Sequence, residues 1–221
     1  MTGLDPDEQA RTFAAASLAA DDPTGWFERL YSAVDAGAAV LPWDRTAEHP
    51  LLAEWARDRE LAGSGRRALV VGCGLGYDAE FLARLGYDTV AFDVSASAVA
   101  ATRRRFPDSV VTYAAADLLD LPSGWLRAYD LVVEILTVQA LPIALHGKAI
   151  AQVGQVVGPG GTLLVISGGR EESDEPDGPP WPLTGAEVES FGTDGLDPLR
   201  IEDLRNESGG NRRWRAEFRR S

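Results

Sequence analysis

The sequence predicts an α/β protein whose sheet is doubly wound and mostly parallel. From residue 67 onward, continuous apolar runs of strand length alternate with helical segments, a pattern typical of buried parallel strands. A glycine or an acid lies at or near the carboxyl end of four of these runs: Gly72, Asp93, Asp117 and Glu134. Such alternation places helices on both faces of a sheet, and ligands then bind beyond the carboxyl ends of the strands. These four residues are therefore the first candidates for a site.

About seven strands are predicted, the last one antiparallel. The apolar runs are ALVVG (68–72), DTVAFD (88–93), SVVTYAAAD (109–117), YDLVVEIL (129–136) and TLLVIS (162–167). Helices are expected between them over 78–85, 95–106 and 142–157, with a sharp glycine-rich turn at 158–161. Segments 199–203 and 213–219 alternate like a pair of antiparallel strands.

We expect a single domain in three parts. Residues 1–62 predict a helical cap, because Asp-Pro or His-Pro pairs at 5–6, 22–23 and 49–50 are helix-start signals. Within the cap, the irregular stretch VLPWDR (40–45) predicts a lid. Residues 66–169 form the binding core. Residues 170–221 supply an acidic flap over 170–182, a short helix capped by Thr184 with Glu187 placed for a capping box, and the last strands.

The composition disfavours several classes of protein, namely nucleic-acid-binding, membrane-spanning, secreted and metal-binding proteins. The 221 residues carry a net charge of −13, which repels phosphate backbones and disfavours a nucleic-acid partner. No apolar stretch is long enough for a membrane span. The polar, acidic start is unlike a signal peptide, so we expect a cytoplasmic protein. One cysteine excludes an intrachain disulfide, and with only two histidines we expect no metal site.

The glycine loop at 72–76 indicates a nucleoside ligand without phosphate. In the dinucleotide pattern Gly-x-Gly-x-x-Gly, the third glycine would stand where this chain has Tyr77. Asp78 then competes for the positive helix end that would hold a phosphate. Asp93, 21 residues after Gly72 (93 − 72), can accept both hydroxyls of a ribose. S-adenosylmethionine (SAM) fits these features, and an NAD-dependent oxidoreductase is the disfavoured alternative.

The ordered motifs VVGCGLGYDAEFLA, VAFDVS, AADLLDLP, YDLVVE and GPGGTLLV resemble those of class I SAM-dependent methyltransferases. They cover about half of the chain. The form GCGxGYD and the upstream PWDR further resemble the thiopurine and thiol (halide) methyltransferase group. The resemblance implies a Rossmann-like fold, SAM as cofactor, S-adenosylhomocysteine (SAH) as product, and methyl transfer to a small molecule.

The resemblance also implies roles for cofactor-binding residues. Gly72, Gly74 and Gly76 would let the backbone approach the methionine part of SAM, with Cys73 in the same loop. Asp93 would hold the ribose and Val94 would pack on the adenine. Asp117 would accept from the adenine amino group beside Leu118, and Trp26 would cover the bound cofactor. The structural alternatives are a helix cap for Asp93, a turn residue for Asp117 with Asp120 as its competitor, and a core anchor for Trp26.

Acceptor-side candidates lie in the lid, after the fourth strand and in the flap. In the lid, Trp43 is a wall suited to a sulfonium and Asp44 is a candidate base. Near the lid, His49 is either a base or an ordinary helix-start residue. Glu134 is expected to face the crevice as a base, as a partner of the SAM ammonium or of a cationic substrate, or else as a buried ion-paired residue. Thr137, Gln139 and Trp181 complete the predicted acceptor site; the related thiol and halide enzymes tend to have other residues at Glu134, Thr137 and Gln139.

We therefore predict a SAM-dependent methyltransferase that acts on a small-molecule acceptor. Few strong bases follow the strand ends, which favours a thiol or another soft nucleophile that ionises without help. Two alternatives stay open: a SAM-binding catalyst of rearrangement or cyclisation, and a regulatory module that binds SAM without turnover. The acceptor and the oligomeric state are not specified by the sequence.

Overall fold

The fold is a seven-stranded sheet in the order β3-β2-β1-β4-β5-β7-β6. The computed structural model describes residues 5–205 and 212–221. The strands are β1 (Arg67–Val71), β2 (Asp88–Asp93), β3 (Thr112–Ala115), β4 (Tyr129–Ile135), β5 (Val157–Gly168), β6 (Leu196–Arg205) and β7 (Arg212–Arg220). β1 to β5 pair in parallel, and β7 pairs antiparallel with both β5 and β6. The predicted Rossmann-like sheet, with its last strand antiparallel, is confirmed.

Within the described residues, seven α-helices cover the two faces of the sheet and the edge where the parallel strands end. They are α1 (Pro6–Leu18), α2 (Gly25–Asp35), α3 (Pro50–Asp58), α4 (Tyr77–Arg84), α5 (Ala96–Arg105), α6 (Ile143–Val156) and α7 (Gly185–Glu189). Asp5 caps α1, and Thr184 and Glu187 form the predicted capping box of α7. Among the helices of the described residues, none combines the length and apolarity needed to cross a membrane.

Strand register brings the candidate residues together. Val71, the last residue of β1, pairs with Phe92 of β2 and with Glu134 of β4. The chain therefore enters the glycine loop at the level where β2 reaches Asp93. Parallel strands end at the same edge of the sheet, so this edge forms the crevice that the sequence predicts.

Apolar side chains alternate along the strands and fill two layers. On one face, Val70, Val133 and Leu164 pack with residues of α3, α4 and α5. On the other, Val132 and Val165 pack with residues of α6 and α7. This two-sided burial explains why the strands appear as continuous apolar runs rather than as an alternating pattern.

A third apolar cluster fixes the cap above the crevice. Trp26, Leu30 and Tyr31 of α2 pack with small residues of α1 and with Ala98 of α5. The Glu28 carboxylate accepts hydrogen bonds from the Ser95 hydroxyl (2.7 Å) and the Ser97 amide (3.1 Å) at the start of α5. α2 is thus held across the amino end of α5, directly above the carboxyl end of β2.

Several predicted boundaries differ from the structure. β3 is shorter than predicted, because the Ser109 hydroxyl accepts the Val111 amide and Val110 is exposed. The predicted turn at 158–161 is part of β5, whose pairing with β4 shifts register there. α2 begins at Gly25, since the Asp22 carboxylate accepts the Gly25 amide (2.8 Å) and delays the helix.

Candidate cofactor and acceptor site

A cavity of about 260 Å³ lies at the carboxyl edge of the sheet, beneath the cap. Most predicted site residues line it: Trp26, Trp43, Gly72, Cys73, Gly74, Gly76, Asp93, Val94, Asp117, Leu118, Thr137 and Gln139. Asp44, His49, Glu134 and Trp181 do not belong to its wall. The chain therefore gathers most of the predicted cofactor residues around one space and leaves the three candidate bases, Asp44, His49 and Glu134, outside its wall.

The three loop glycines serve different purposes. All have positive φ, +60° at Gly72, +52° at Gly74 and +86° at Gly76, a conformation that L side chains rarely adopt. A Cβ at Gly72 would overlap the Thr137 side chain, and one at Gly76 would stand 2.8 Å from the Tyr113 hydroxyl. A Cβ at Gly74 would instead stand 3.1 Å from the Tyr31 hydroxyl, between the loop and the cap. Gly74 therefore keeps the space under the cap open.

Asp93 is buried and holds the loop in place. Its Oδ2 accepts the Gly74 amide (3.0 Å) and its Oδ1 accepts the Ser95 amide (2.9 Å). Burial raises the pKa of this carboxyl to about 6, although both amides oppose the shift. A carboxylate has about four acceptor sites, so each oxygen can still accept one hydroxyl. The arrangement fits a ribose. The helix cap itself is Ser95, whose hydroxyl accepts the Ala98 amide, and Asp93 supports that cap by accepting the Ser95 amide.

The far end of the cavity is mostly apolar. Val94 and Leu118 face it together with Phe92. Asp117 lines the same end, and its Oδ1 accepts the Leu119 amide (2.8 Å), which leaves Oδ2 for a ligand. The competing Asp120 is exposed and does not line the cavity. An apolar slot with one carboxylate at its edge suits an adenine ring.

Aromatic side chains form the roof. Trp26 stacks on Phe27 with ring centroids 3.9 Å apart and meets Trp43 edge-on at 6.0 Å. Trp43 Nε1 donates to the Tyr31 hydroxyl (2.9 Å). Burial and nearby Asp93 raise the pKa of Tyr31, which keeps its hydroxyl neutral. Trp26 is only 1% exposed and still lines the cavity, so it is both a core anchor and part of the site.

The lid is fastened to α4 by Asp78. Asp78 Oδ1 accepts the His49 amide (2.6 Å), and Oδ2 lies 3.5 Å from Nη2 of Arg45. Burial raises the pKa of Asp78, while the His49 amide and Arg45 oppose that rise. Asp44 is exposed on the lid, with its carboxylate 3.7 Å from the Arg105 guanidinium. Asp78, whose carboxylate disfavours a phosphate at the start of α4, is thus also the anchor of the lid.

His49 is a buried helix cap. Its Nδ1 accepts the Leu51 amide (3.2 Å) at the start of α3. Burial and the neighbouring Arg45 lower its pKa to about 4. The ordinary helix-start interpretation accounts for this geometry.

Glu134 lies on the α6 side of the sheet instead of facing the crevice as expected. It is fully buried, and its Oε1 accepts the amides of Thr137 (2.7 Å) and Val138 (3.0 Å). Burial raises its pKa to about 7 against these two hydrogen bonds. Oε2 has no hydrogen-bond partner among the described residues. The side chain organises the turn after β4, from which Thr137 and Gln139 reach the cavity.

The flap contributes Pro179 and Pro180 to the wall in place of Trp181. The Trp181 amide donates to the Gln139 carbonyl (2.6 Å), and the Gln139 side chain accepts the Gly168 amide. His146 on α6 is 1% exposed. Its Nδ1 lies 2.6 Å from the Glu187 carboxylate and its Nε2 lies 2.9 Å from the Leu141 carbonyl.

Some lining residues were missed from the sequence. Phe27 and Tyr31 share the helical stripe of Trp26, which could have identified them. Arg45 is the last residue of the PWDR motif, yet only Trp43 and Asp44 were singled out there. Pro179 and Pro180 carry no local signal, because the flap reaches the cavity through contacts with distant parts of the chain, among them the turn after β4 and Arg11 of α1. Within the described residues, no group of three or more potential ligands could hold a metal ion.

This sheet order, with a glycine loop after β1 and a carboxylate at the end of β2, defines a methyltransferase-type α/β fold. Residues 68–161 match the family model described as a methyltransferase domain. This part of the chain is thus similar to a methyltransferase domain, and the match supports a SAM-dependent methyltransferase with SAM as its cofactor.

A curated relative agrees with this class. The chain is 26% identical over 189 residues to a probable thiol methyltransferase 2 of Arabidopsis thaliana, covering 85% of this chain and 78% of that protein.

Solved structures share the fold. One, described as the conversion of a disulfide bond into a thioacetal group during echinomycin biosynthesis, has a TM-score of 0.70 at 20% identity, covering 88% of this chain and 91% of that one. The cyclase SpnF has a TM-score of 0.69 at 19% identity, covering 90% and 96%. The N-methyltransferase NodS of Bradyrhizobium japonicum WM9, in complex with SAH, has a TM-score of 0.63 at 20% identity, covering 87% and 98%.

Proposed function

We propose that this chain transfers the methyl group of SAM to the sulfur of a small-molecule thiol. The observation that carries the proposal is the scarcity of bases at the cavity wall. Neither histidine lines the cavity, and the Glu134 carboxylate is turned toward backbone amides. An alcohol or an ammonium group must lose a proton to a base before or during transfer, whereas a thiol is appreciably ionised near neutral pH.

The carboxylates that do line the wall have other partners. Asp78, Asp93 and Asp117 each accept a backbone amide. Asp7 lies at the exposed rim. The remaining acceptor sites of Asp93 and Asp117 are the ones expected to hold the ribose and the adenine, Asp78 holds the His49 amide, and Asp7 is open to water. None of these acids is therefore left as a general base for an alcohol.

The surroundings favour a small acceptor. Cap, lid and flap residues all reach the cavity, so the acceptor is enclosed on several sides by Phe27, Trp43, Pro179 and Pro180. These side chains are apolar or aromatic and suit a compact, partly apolar molecule. The curated relative is named a probable thiol methyltransferase, and this name also supports a thiol as the acceptor.

SAM supplies an electrophilic methyl carbon bonded to a sulfonium. The chain's own residues then act by positioning and by excluding water, which can account for much of the acceleration of such a displacement. The glycine loop and Asp93 would hold the cofactor, while Trp43 offers an aromatic face to the cation. Thr137 and Gln139, on the turn ordered by Glu134, would line the path of the nucleophile.

The test is product analysis with a matched acceptor series. The protein is incubated with SAM bearing a deuterated methyl group and with a thiol, the alcohol and the amine of the same carbon skeleton. We expect the thioether to gain the deuterated methyl group in a 1:1 ratio with SAH, with slower or no transfer to the other two. Preferred transfer to oxygen or nitrogen would refute the thiol as acceptor.

The same experiment separates methylation from the alternatives. A cyclisation catalyst would convert an acceptor while SAM remained intact, and a regulatory module would leave both unchanged. The fold shared with SpnF admits the first of these. Formation of SAH together with methylated product would exclude both alternatives for that acceptor.

A further inference from the structure

Arg45 is the one cationic side chain among the described residues that line the cavity. Four carboxylates share the wall with it: Asp7, Asp78, Asp93 and Asp117. SAM carries an ammonium group and a sulfonium against a single carboxylate. An acidic wall with one cation therefore complements the charges of this cofactor.

The guanidinium of Arg45 is not fully engaged by the protein. Within the described part of the chain, its one ion pair joins Nη2 to Oδ2 of Asp78 at 3.5 Å, a distance too long for a strong hydrogen bond. Its Nε is buried and has no hydrogen-bond partner among the residues that the structure describes. Buried N–H groups are almost always paired in folded proteins, so this one is free for a ligand that enters the cavity.

The position of Arg45 points to one group of the cofactor. Its partner Asp78 is the second residue of α4, immediately after the glycine loop over which the methionine part of SAM is expected. A helix amino end would ordinarily attract the methionine carboxylate, but the Asp78 carboxylate already occupies that end. A carboxylate ligand there needs another cation, and Arg45 stands beside it.

We propose that Arg45 binds the methionine carboxylate of SAM and so couples the lid to the loaded cofactor. The inference rests on SAM as cofactor and not on the proposed thiol. Because Arg45 belongs to the lid held by Asp78 and His49, a bound carboxylate adds a second link between the lid and the glycine loop. The lid then closes more firmly over the cofactor than over an empty cavity.

The test compares SAH with an analogue in which hydrogen replaces the carboxylate. Both are titrated by calorimetry into the native chain, into Arg45→Gln and into the control Arg105→Gln, which removes a lid-adjacent arginine that does not line the cavity. A charge-assisted hydrogen bond contributes about 10- to 100-fold in affinity. We expect Arg45→Gln to weaken SAH binding by about that factor and to leave binding of the analogue unchanged. Arg105→Gln should change neither.

Equal loss of both ligands in Arg45→Gln would overturn the proposal, because it would mark Arg45 as a support of the lid alone. Unchanged binding of both would overturn it as well. Arg45→Lys retains the charge and is expected to bind SAH more tightly than the analogue; loss of that preference would also contradict the proposal. No acceptor is present in these titrations, so their outcome is independent of the thiol assignment.

Discussion

At the scale of one residue, the buried position of Asp93 determines how readily its carboxyl group ionises. Its carboxylate is buried at the end of β2, where two backbone amides hold it and burial still raises its pKa to about 6. The ionised form is the one that accepts two hydroxyls. Ligand binding and the ionisation of Asp93 are therefore linked.

This linkage predicts a pH dependence of SAH affinity. As pH falls through about 6, Asp93 takes up a proton that must be released for both oxygens to accept ribose hydroxyls. The dissociation constant should therefore rise by about tenfold per pH unit below that value. Calorimetry of SAH binding between pH 7.5 and pH 5 measures it, and a flat profile would contradict the role of Asp93.

Glu134 should destabilise the fold when it is ionised. Its folded-state pKa of about 7 lies above the ordinary value of 4.5, so the folded chain binds the proton more tightly than the unfolded chain. The protonated Glu134 therefore favours the folded state at low pH. As pH rises from about 4.5 to 7, this effect is lost, and the free energy of unfolding falls by about 3 kcal/mol at most.

The measurement is the free energy of unfolding by urea at pH 5 and pH 8, for the native chain and for Glu134→Gln. The unfolding free energy of Glu134→Gln, relative to that of the native chain, should be higher at pH 8 than at pH 5. An identical pH dependence in both proteins would show that Glu134 does not titrate abnormally.

At the scale of single elements, the glycine loop allows a matched test. Gly74 and Gly65 both have positive φ, but a Cβ on Gly65 would meet nothing within 4 Å. Replacement of either by alanine should cost about 1 kcal/mol in unfolding free energy, because the backbone strain is similar. Only Gly74→Ala should weaken SAH binding, since its Cβ projects toward Tyr31 beneath the cap; equal binding by both variants would contradict that assignment.

The lid offers a second element-scale prediction. Asp78→Ala removes the acceptor of the His49 amide and the partner of Arg45. Loss of a buried acceptor costs about 1–3 kcal/mol, so hydrogen exchange of residues 41–49 should become faster. Arg84→Ala breaks an exposed lid contact with Glu48, which contributes little; equal acceleration in both variants would argue against Asp78 as the anchor.

Elements were predictable where local pattern and burial agree. β2 has the predicted bounds, and α7 has its predicted capping box, because each follows from contiguous residues. β3 and the turn at 158–161 were predicted with different limits. Their true bounds depend on hydrogen bonds and register with neighbouring strands, which the local sequence does not encode.

At the scale of the whole molecule, the floor of the cavity was predictable and its roof only in part. The glycine loop, Asp93 and Asp117 follow strand ends, so parallel topology brings them together. Arg45 and Pro179 reach the cavity through the packing of cap and flap, which depends on contacts between distant parts of the chain. The orientation of Glu134 depended on which face of β4 it occupied, and a fully buried strand gives no alternation from which to infer it.

The charge of the whole molecule and of its cavity wall also bears on the choice of cofactor. The chain carries a net charge of −13, and its cavity wall has four carboxylates and one arginine. A cationic cofactor is favoured over a nucleotide with phosphates by this balance. The central claim is thus that the cavity is a SAM site organised by Asp93.

Calorimetric titration of SAH into the native chain, Asp93→Ala and the control Asp120→Ala tests that claim most directly. Asp120 is an exposed acid near the same strand end that does not line the cavity. With folding of all three checked by circular dichroism, we expect micromolar binding to the native chain and to Asp120→Ala, and a loss of at least about 100-fold in Asp93→Ala. Absence of SAH binding to well-folded native protein, or binding that Asp93→Ala leaves intact, would contradict it.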